Sequence, residues 1–185
     1  FNHQFNYQFP TTNDRYWVPG GNPQLKPERG WQSAIHIVSR VNRNKTHIKF
    51  TPYIGFTQNF IQWLPTENSN FYSPQNAKSV QRFGADFVVS HTEQWERSSL
   101  RLQFSAHYNR VYEDDNLDQL QLIYSPEWMF RASANFQRKM WGVNVTLSHD
   151  GLRYVREDHS KLLEAYTLLD LSLIHISEPT RPLYI

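Results

Sequence analysis

The residues able to do chemistry are scattered along the chain. Eight histidines occur, but no His-x-x-x-His or Glu-x-x-His pair sets two metal ligands on one side of a helix. There is no cysteine, which excludes a disulfide framework, a thiolate metal site and a Cys nucleophile. Asp114–Asp115 and Glu157–Asp158 are paired acids in predicted loops with no partnering base, so solvated loop charge accounts for them. The seven glycines are spread out and form no phosphate-cradling loop. Asn144–Val145–Thr146 has the spacing of a glycosylation sequon but lies inside a predicted strand. The chain is therefore not expected to be an enzyme, and neither a metal nor a cofactor is expected.

Charge narrows the partners. Nineteen Lys and Arg against seventeen Asp and Glu leave a net +2 with no basic run, so nucleic acid is not an expected partner. No apolar stretch approaches the roughly 18 residues of a membrane-spanning helix. Phe1–Asn2–His3–Gln4 is neither an initiator Met nor a signal peptide, so the natural N-terminus is expected upstream. Two quantities conflict in an informative way. Aromatics reach 15% while the mean hydropathy is −0.67. Strands with one greasy and one wet face reconcile them, and a transmembrane β-barrel with a polar lumen has that composition.

The elements that must carry these residues follow from a period of two. Apolar residues alternate with polar ones in Phe1–Phe9, Trp31–Val41, Ile48–Phe56, Phe83–Val89, Leu100–Tyr108, Trp128–Phe136, Trp141–Leu147 and Ala165–Leu169. This predicts an all-β, antiparallel up-and-down meander of about eight strands of about 9–12 residues, the length that a tilted membrane crossing needs. Mid-strand ionisable groups keep to the polar face: His36, Lys49, Asp86, Arg101, His107, Arg131 and Asp170. His3 and His149 depart from this near strand ends. A charge at mid-depth on a lipid-facing surface costs about 2–4 kcal/mol, but a soluble sandwich sorts its charges in the same way.

The connections discriminate better. Short ones are expected near Asn42–Lys45, Glu93–Ser98 and Arg138–Met140, and long ones at Pro10–Gly30, Pro65–Ser79, Glu113–Ser125 and Arg156–Glu164. They alternate, so a meander puts every long loop on one rim and every short turn on the other, as in outer-membrane barrels. Trp95 and Trp141 lie beside short turns, and Trp31, Trp63, Tyr112, Tyr124 and Trp128 lie toward long loops, as two interfacial girdles would place them.

The first long loop reads Asn13–Asp14–Arg15–Tyr16–Trp17–Val18–Pro19–Gly20–Gly21–Asn22–Pro23–Gln24–Leu25–Lys26–Pro27–Glu28. It resembles the "NDLYW…GNPxLKPE" segment of TonB-dependent outer-membrane receptors. Asn59–Phe60–Ile61–Gln62–Trp63–Leu64–Pro65 resembles that family's "NLIxW.P" strand end, and Tyr72–Ser73–Pro74–Gln75–Asn76 followed by Phe83–Gly84–Ala85–Asp86 resembles its return strand. Arg15 and Asp86 stand where the family has Leu and Glu. The resemblance implies part of a 22-stranded transmembrane β-barrel closed by an N-terminal plug. It places residues 1–170 at roughly the thirteenth to twentieth strands, with signal peptide, TonB box, plug and the last two strands outside this chain. It further implies the outer membrane of a Gram-negative bacterium, contact with its lipid, and a TonB complex acting through the N-terminal region. The imported ligand would be a large scarce nutrient, a ferric siderophore or a cobalamin-like corrinoid. A soluble lectin-like sandwich and a passive porin are the competing readings.

Within the family pattern Asn22–Glu28 is read as a rigid return, since Pro23 and Pro27 restrict the backbone and Gly20–Gly21 permits a tight turn. Ligand contact is assigned instead to aromatic and amide residues of the long loops: Tyr16, Trp17, Trp63, Asn70, Tyr72 and Tyr154. The tail Leu171–Arg181 resembles the in-frame translation of a sequencing-library adapter, so the native segment is expected to end at about Asp170, with 171–185 read-through.

Overall fold

The computed structural model describes residues 1–66, 71–76, 79–114, 120–156 and 158–175. Its main body is one antiparallel sheet. The strands are β1 (Asn2–Gln8), β2 (Glu28–Ala34), β3 (Ile37–Val41), β4 (Thr46–Gln58), β7 (Ser79–Trp95), β8 (Ser98–Glu113), β9 (Trp128–Arg138), β10 (Trp141–Asp150) and β13 (Tyr166–His175). They lie in the order β1-β2-β4-β7-β8-β9-β10-β13, with β3 also on β4. This is the expected meander.

β2 and β3 are one stave with a gap. Both pair with β4 in one unbroken register, Ala34 opposite Tyr53 and Ile37 opposite Phe50. Between them Ile35 donates its N–H to the Pro52 carbonyl at 3.1 Å, but Pro52 has no N–H to return. The ladder therefore lapses at Ile35–His36, inside the run that alternation reads as continuous.

Register aligns the greasy residues in rows across the sheet. One row runs Ile37, Phe50, Phe87, Ala106, Phe130, His149, and the next runs Ile48, Val89, Phe104, Ala132, Leu147, Leu169. No second layer covers them among the described residues, and Phe50, Phe87, Phe104 and Leu147 stay exposed. A soluble sandwich would bury this face against another sheet. The opposite face carries Lys49, Asp86, His107, Arg131 and Asp170, as expected. The sorting is looser than the alternation suggests, because His91, Glu93 and Arg110 share the greasy face. They sit toward strand ends, where Glu93 pairs with Lys45 and Arg110 with Glu127.

The two rims differ as expected. The short turns at 42–45, 96–97 and 139–140 join the long strands. Asn42, Arg43 and Asn44 adopt left-handed φ values of 53°, 52° and 67°, a region that Asn tolerates well. The long loops hold structure that alternation misses. β4 ends at Gln58, not near Pro65. The chain then bends at Asn59 (φ 55°) into a separate hairpin of β5 (Ile61–Pro65) and β6 (Tyr72–Asn76). Helix α1 (Thr12–Tyr16) interrupts the first loop, and β11 (Arg153–Tyr154) pairs with β12 (Leu162–Leu163) in the last. β13 continues past the expected boundary at Asp170, pairing Leu171–His175 with β10. An open sheet edge templates any extended apolar segment laid beside it.

Candidate functional site

Most buried side chains lie at the long-loop rim, among them Leu25, Val80, Gln62, Pro74, Gln121 and Ile123. There the loops pack into a structured cap. It begins with α1, whose first turn is a capping box. Asp14 N–H donates to Thr11 Oγ1 at 3.1 Å, and Thr11 N–H donates to Asp14 Oδ2 at 2.8 Å. The pattern Thr-x-x-Asp signals this box in the sequence. The other oxygen, Asp14 Oδ1, accepts the Trp63 indole N–H from β5 at 3.0 Å. Partial burial pushes the Asp14 carboxyl up, but the Thr11 hydrogen bonds and the Trp63 bond outweigh it and hold it below its ordinary value.

The Asn22–Glu28 segment then fastens the first loop to the β5–β6 hairpin. Asn22 Nδ2 donates to the Pro74 carbonyl at 3.1 Å, Lys26 N–H to Asn76 Oδ1 at 2.8 Å, and Asn76 Nδ2 returns to the Lys26 carbonyl at 2.9 Å. Glu28 Oε1 accepts the Ile61 N–H at 2.7 Å. Leu25 is buried beneath these bonds. The reading of this segment as a rigid return agrees with that geometry. Gly20 is required by proximity, since a Cβ there would lie 2.3 Å from the Tyr72 carbonyl oxygen. Its φ is not left-handed.

The candidate contact residues divide. Trp17 and Trp63 meet edge to face, with centroids 5.6 Å apart at 73°. Trp63 is therefore committed to Asp14 and Trp17. Tyr16 stands 63% exposed. Tyr72, on β6, shares a hydrogen bond with Tyr124 of the loop after β8, and that bond, then partial burial, push the Tyr124 phenol up. Tyr124 N–H donates to the Tyr154 carbonyl at 2.8 Å, and Tyr154 stacks flat on His159 at 3.6 Å and 5°. Tyr72, Tyr124 and Tyr154 thus link three loops. Asn70 lies outside the described residues, as do Asp115 and Glu157 of the paired acids. Asp114 accepts from Gln81 and Asp158 from Ser160, so both are engaged locally.

Gln121 organises the third loop and carries no local sequence signal. Its Oε1 accepts the Val111 N–H at 3.0 Å, and its Nε2 donates to the carbonyls of Asn109 and Ser125, each at 3.1 Å. Below the cap, the wet face of the sheet forms a polar wall. Asp86 bonds His107, Tyr53 donates to Asn109 Oδ1 at 3.0 Å, and Arg82 donates to Thr57 at 3.1 Å. Toward the β13 edge, Arg131 donates to Asp150 Oδ1 at 2.8 Å and Tyr166 donates to Oδ2 at 2.6 Å. No group of three His, Cys, Asp or Glu able to hold a metal occurs among the described residues. The arrangement suits binding by aromatic faces and amides beside a hydrated polar wall.

A model of TonB dependent receptor-like β-barrels matches residues 2–177. The chain belongs to the TonB-dependent receptor β-barrel family. Among curated relatives it is 27% identical over 168 residues to the vitamin B12 transporter BtuB of Vibrio vulnificus, covering 90% of this chain and 25% of that protein. It is 25% identical over 175 residues to BtuB of Photobacterium profundum, covering 90% and 27%. Among solved structures it superimposes on the copper transporter OprC with a TM-score of 0.70 at 14% identity, covering 91% of this chain and 27% of that one. It superimposes on FpvA of P. aeruginosa in a ferric pyoverdine complex with a TM-score of 0.58 at 14% identity, covering 91% and 24%. This TonB-dependent receptor segment therefore spans about a quarter of the length of the relatives it matches. Those relatives are transporters and receptors rather than enzymes.

Proposed function

We propose that this segment forms wall and outer loops of a 22-stranded TonB-dependent receptor in the outer membrane of a Gram-negative bacterium. The parent receptor binds a large scarce nutrient, a corrinoid or a ferric siderophore, and imports it through the TonB complex acting on a plug outside this segment. The observation that carries this reading is the combination of an uncovered greasy face, a polar wall behind it and a structured cap on the long-loop rim. Similarity to the two vitamin B12 transporters favours a corrinoid, and the structural likeness to FpvA keeps a ferric siderophore in play. Tyr16, Tyr72 and Tyr154 are the proposed ligand-facing aromatics, joined by Asn70. Trp17 and Trp63, which meet edge to face, are proposed as ligand contacts with them. Residues 171–185 are proposed to carry no part of this function.

The isolated segment is expected not to transport, because two open sheet edges leave unpaired backbone groups in lipid. Uptake is the test. Cells lacking their own receptors would express the complete reading frame containing this segment and be offered labelled corrinoid or ferric siderophore. TonB-dependent accumulation of one of them supports the proposal. Accumulation independent of TonB establishes a porin, and a product that purifies without detergent establishes a soluble module.

A further inference from the structure

The chain leaves β10 through a fixed corner. Gly151 N–H donates to the Trp128 carbonyl at 2.9 Å. A Cβ on Gly151 would lie only 2.8 Å from that oxygen, so the corner has no room for a side chain. Two residues later Arg153 opens β11, opposite Leu163 of β12. Its guanidinium carbon lies 5.3 Å from the centre of the Tyr166 ring. Tyr166 pairs in register with Asp150, in the row that holds Asp86 and His107. Arg153 is therefore held over the wet face, at its long-loop end.

The charges there do not balance. Both oxygens of Asp150 are taken, Oδ1 by Arg131 at 2.8 Å and Oδ2 by the Tyr166 hydroxyl at 2.6 Å. Arg153 acts on the same carboxylate through space only. Among the described residues its guanidinium has no hydrogen-bond or ion-pair partner, and its Nε is buried without one. Two guanidiniums thus share one carboxylate. Arg131 keeps 45% of its side chain exposed and Asp150 only 15%, so what this corner shows to solvent is cationic. The Tyr166 ring holds Arg153 by a cation–π contact, which consumes none of its donors. A guanidinium with its fork unspent is suited to take a carboxylate or phosphate through two parallel hydrogen bonds.

We propose that Arg153, with Arg131 beside it on Asp150, binds an anionic oxygen group of the cargo, a carboxylate or a phosphodiester. The inference rests on the receptor reading given above and narrows it to cargo that carries such a group. Position favours cargo over the plug, because Arg153 belongs to a long-loop hairpin beyond the end of its wall strand.

The test uses the complete receptor, purified in detergent, and equilibrium binding of matched probes. Cyanocobalamin, which carries a phosphodiester, is set against dicyanocobinamide, which lacks it. Ferric aerobactin is set against the same complex with its free carboxylates amidated. The wild type should bind the anionic member of one pair more tightly than its counterpart, and which pair it is tells phosphodiester from carboxylate. Arg153→Gln should weaken that member by about tenfold or more, the scale of one charge-assisted hydrogen bond, and leave the counterpart unchanged. Arg153→Lys should recover part of the loss. Arg156→Gln, which removes a charge from the same loop, should have little effect. A wild type indifferent to the anionic group would overturn the proposal. So would equal weakening of both members, which would mean that Arg153 shapes the loop or holds the plug. Equal effects of Arg153→Gln and Arg156→Gln would overturn it as well, in favour of a diffuse loop charge. Binding of none of the four probes would overturn the cargo reading on which the proposal rests, so the two failures are distinguishable.

Discussion

The indole N–H of Trp63 donates to Asp14 Oδ1 at 3.0 Å, joining the β5–β6 hairpin to a helix that lies 49 residues earlier in the chain. One carboxylate thus closes the α1 capping box with one oxygen and holds a second loop with the other. The cap over the polar wall is fastened at this point.

Asp14→Ala should therefore release both elements together. Loss of the capping box is expected to cost about 1 kcal/mol locally. Hydrogen exchange should quicken in residues 11–17 and 61–65 and stay unchanged in β8 and β9. Loss of protection confined to α1 would separate the two roles.

The same bond predicts a pH response. The Asp14 carboxyl is held below its ordinary 3.8 in the folded state. Its stabilisation is then complete above that ordinary value and fades as pH falls through the lower folded-state value. The Trp63 Nε1–H resonance should titrate in that acid window and be flat in Asp14→Asn. A titration near neutral pH would contradict the assignment.

Neighbouring positions on β10 should differ sharply. Leu147 is on the greasy face and Ser148 on the wet one. Leu147→Arg in the complete receptor should cost about 2–4 kcal/mol if it lies at mid-depth, and Ser148→Arg much less. Denaturant titration of receptor folded into vesicles measures both, and equal costs would refute the assignment of faces.

Pro52→Thr tests the gap between β2 and β3. A residue with an N–H can return the missing bond to Ile35. The new amide should be protected from exchange, joining residues 28–41 into one stave. Rapid exchange at position 52 would mean that the gap has another cause.

The staves were legible because a sheet with unlike faces writes its register into every second residue. Phe83–Val89, Leu100–Tyr108 and Trp128–Phe136 fall within β7, β8 and β9 on the face expected of them. What alternation marked only as a change of phase was the end of a wall strand. Ile61 and Trp63 fall out of phase with Ile54 and Phe56 of β4, and the chain bends at Asn59 into β5. Pro52 was visible as a residue, but its effect depends on which strand stands opposite. At the candidate site, the Thr11–Asp14 box had a local signature. Gln121, the Tyr72–Tyr124 bond and the commitment of Trp63 to Asp14 depend on partners distant in the chain, which spacing does not reveal.

The division of labour between the rims bears on how such a receptor changes its diet. Register is kept by tight turns such as Asn42–Lys45, while the capped loops hang from strand ends on the far side. Connections on the long-loop side can lengthen, shorten or be exchanged between lineages while the ladders of the wall stay in place. Appetite for a new cargo can therefore arise by recombining one rim alone, on a frame that has no need to be refolded for it.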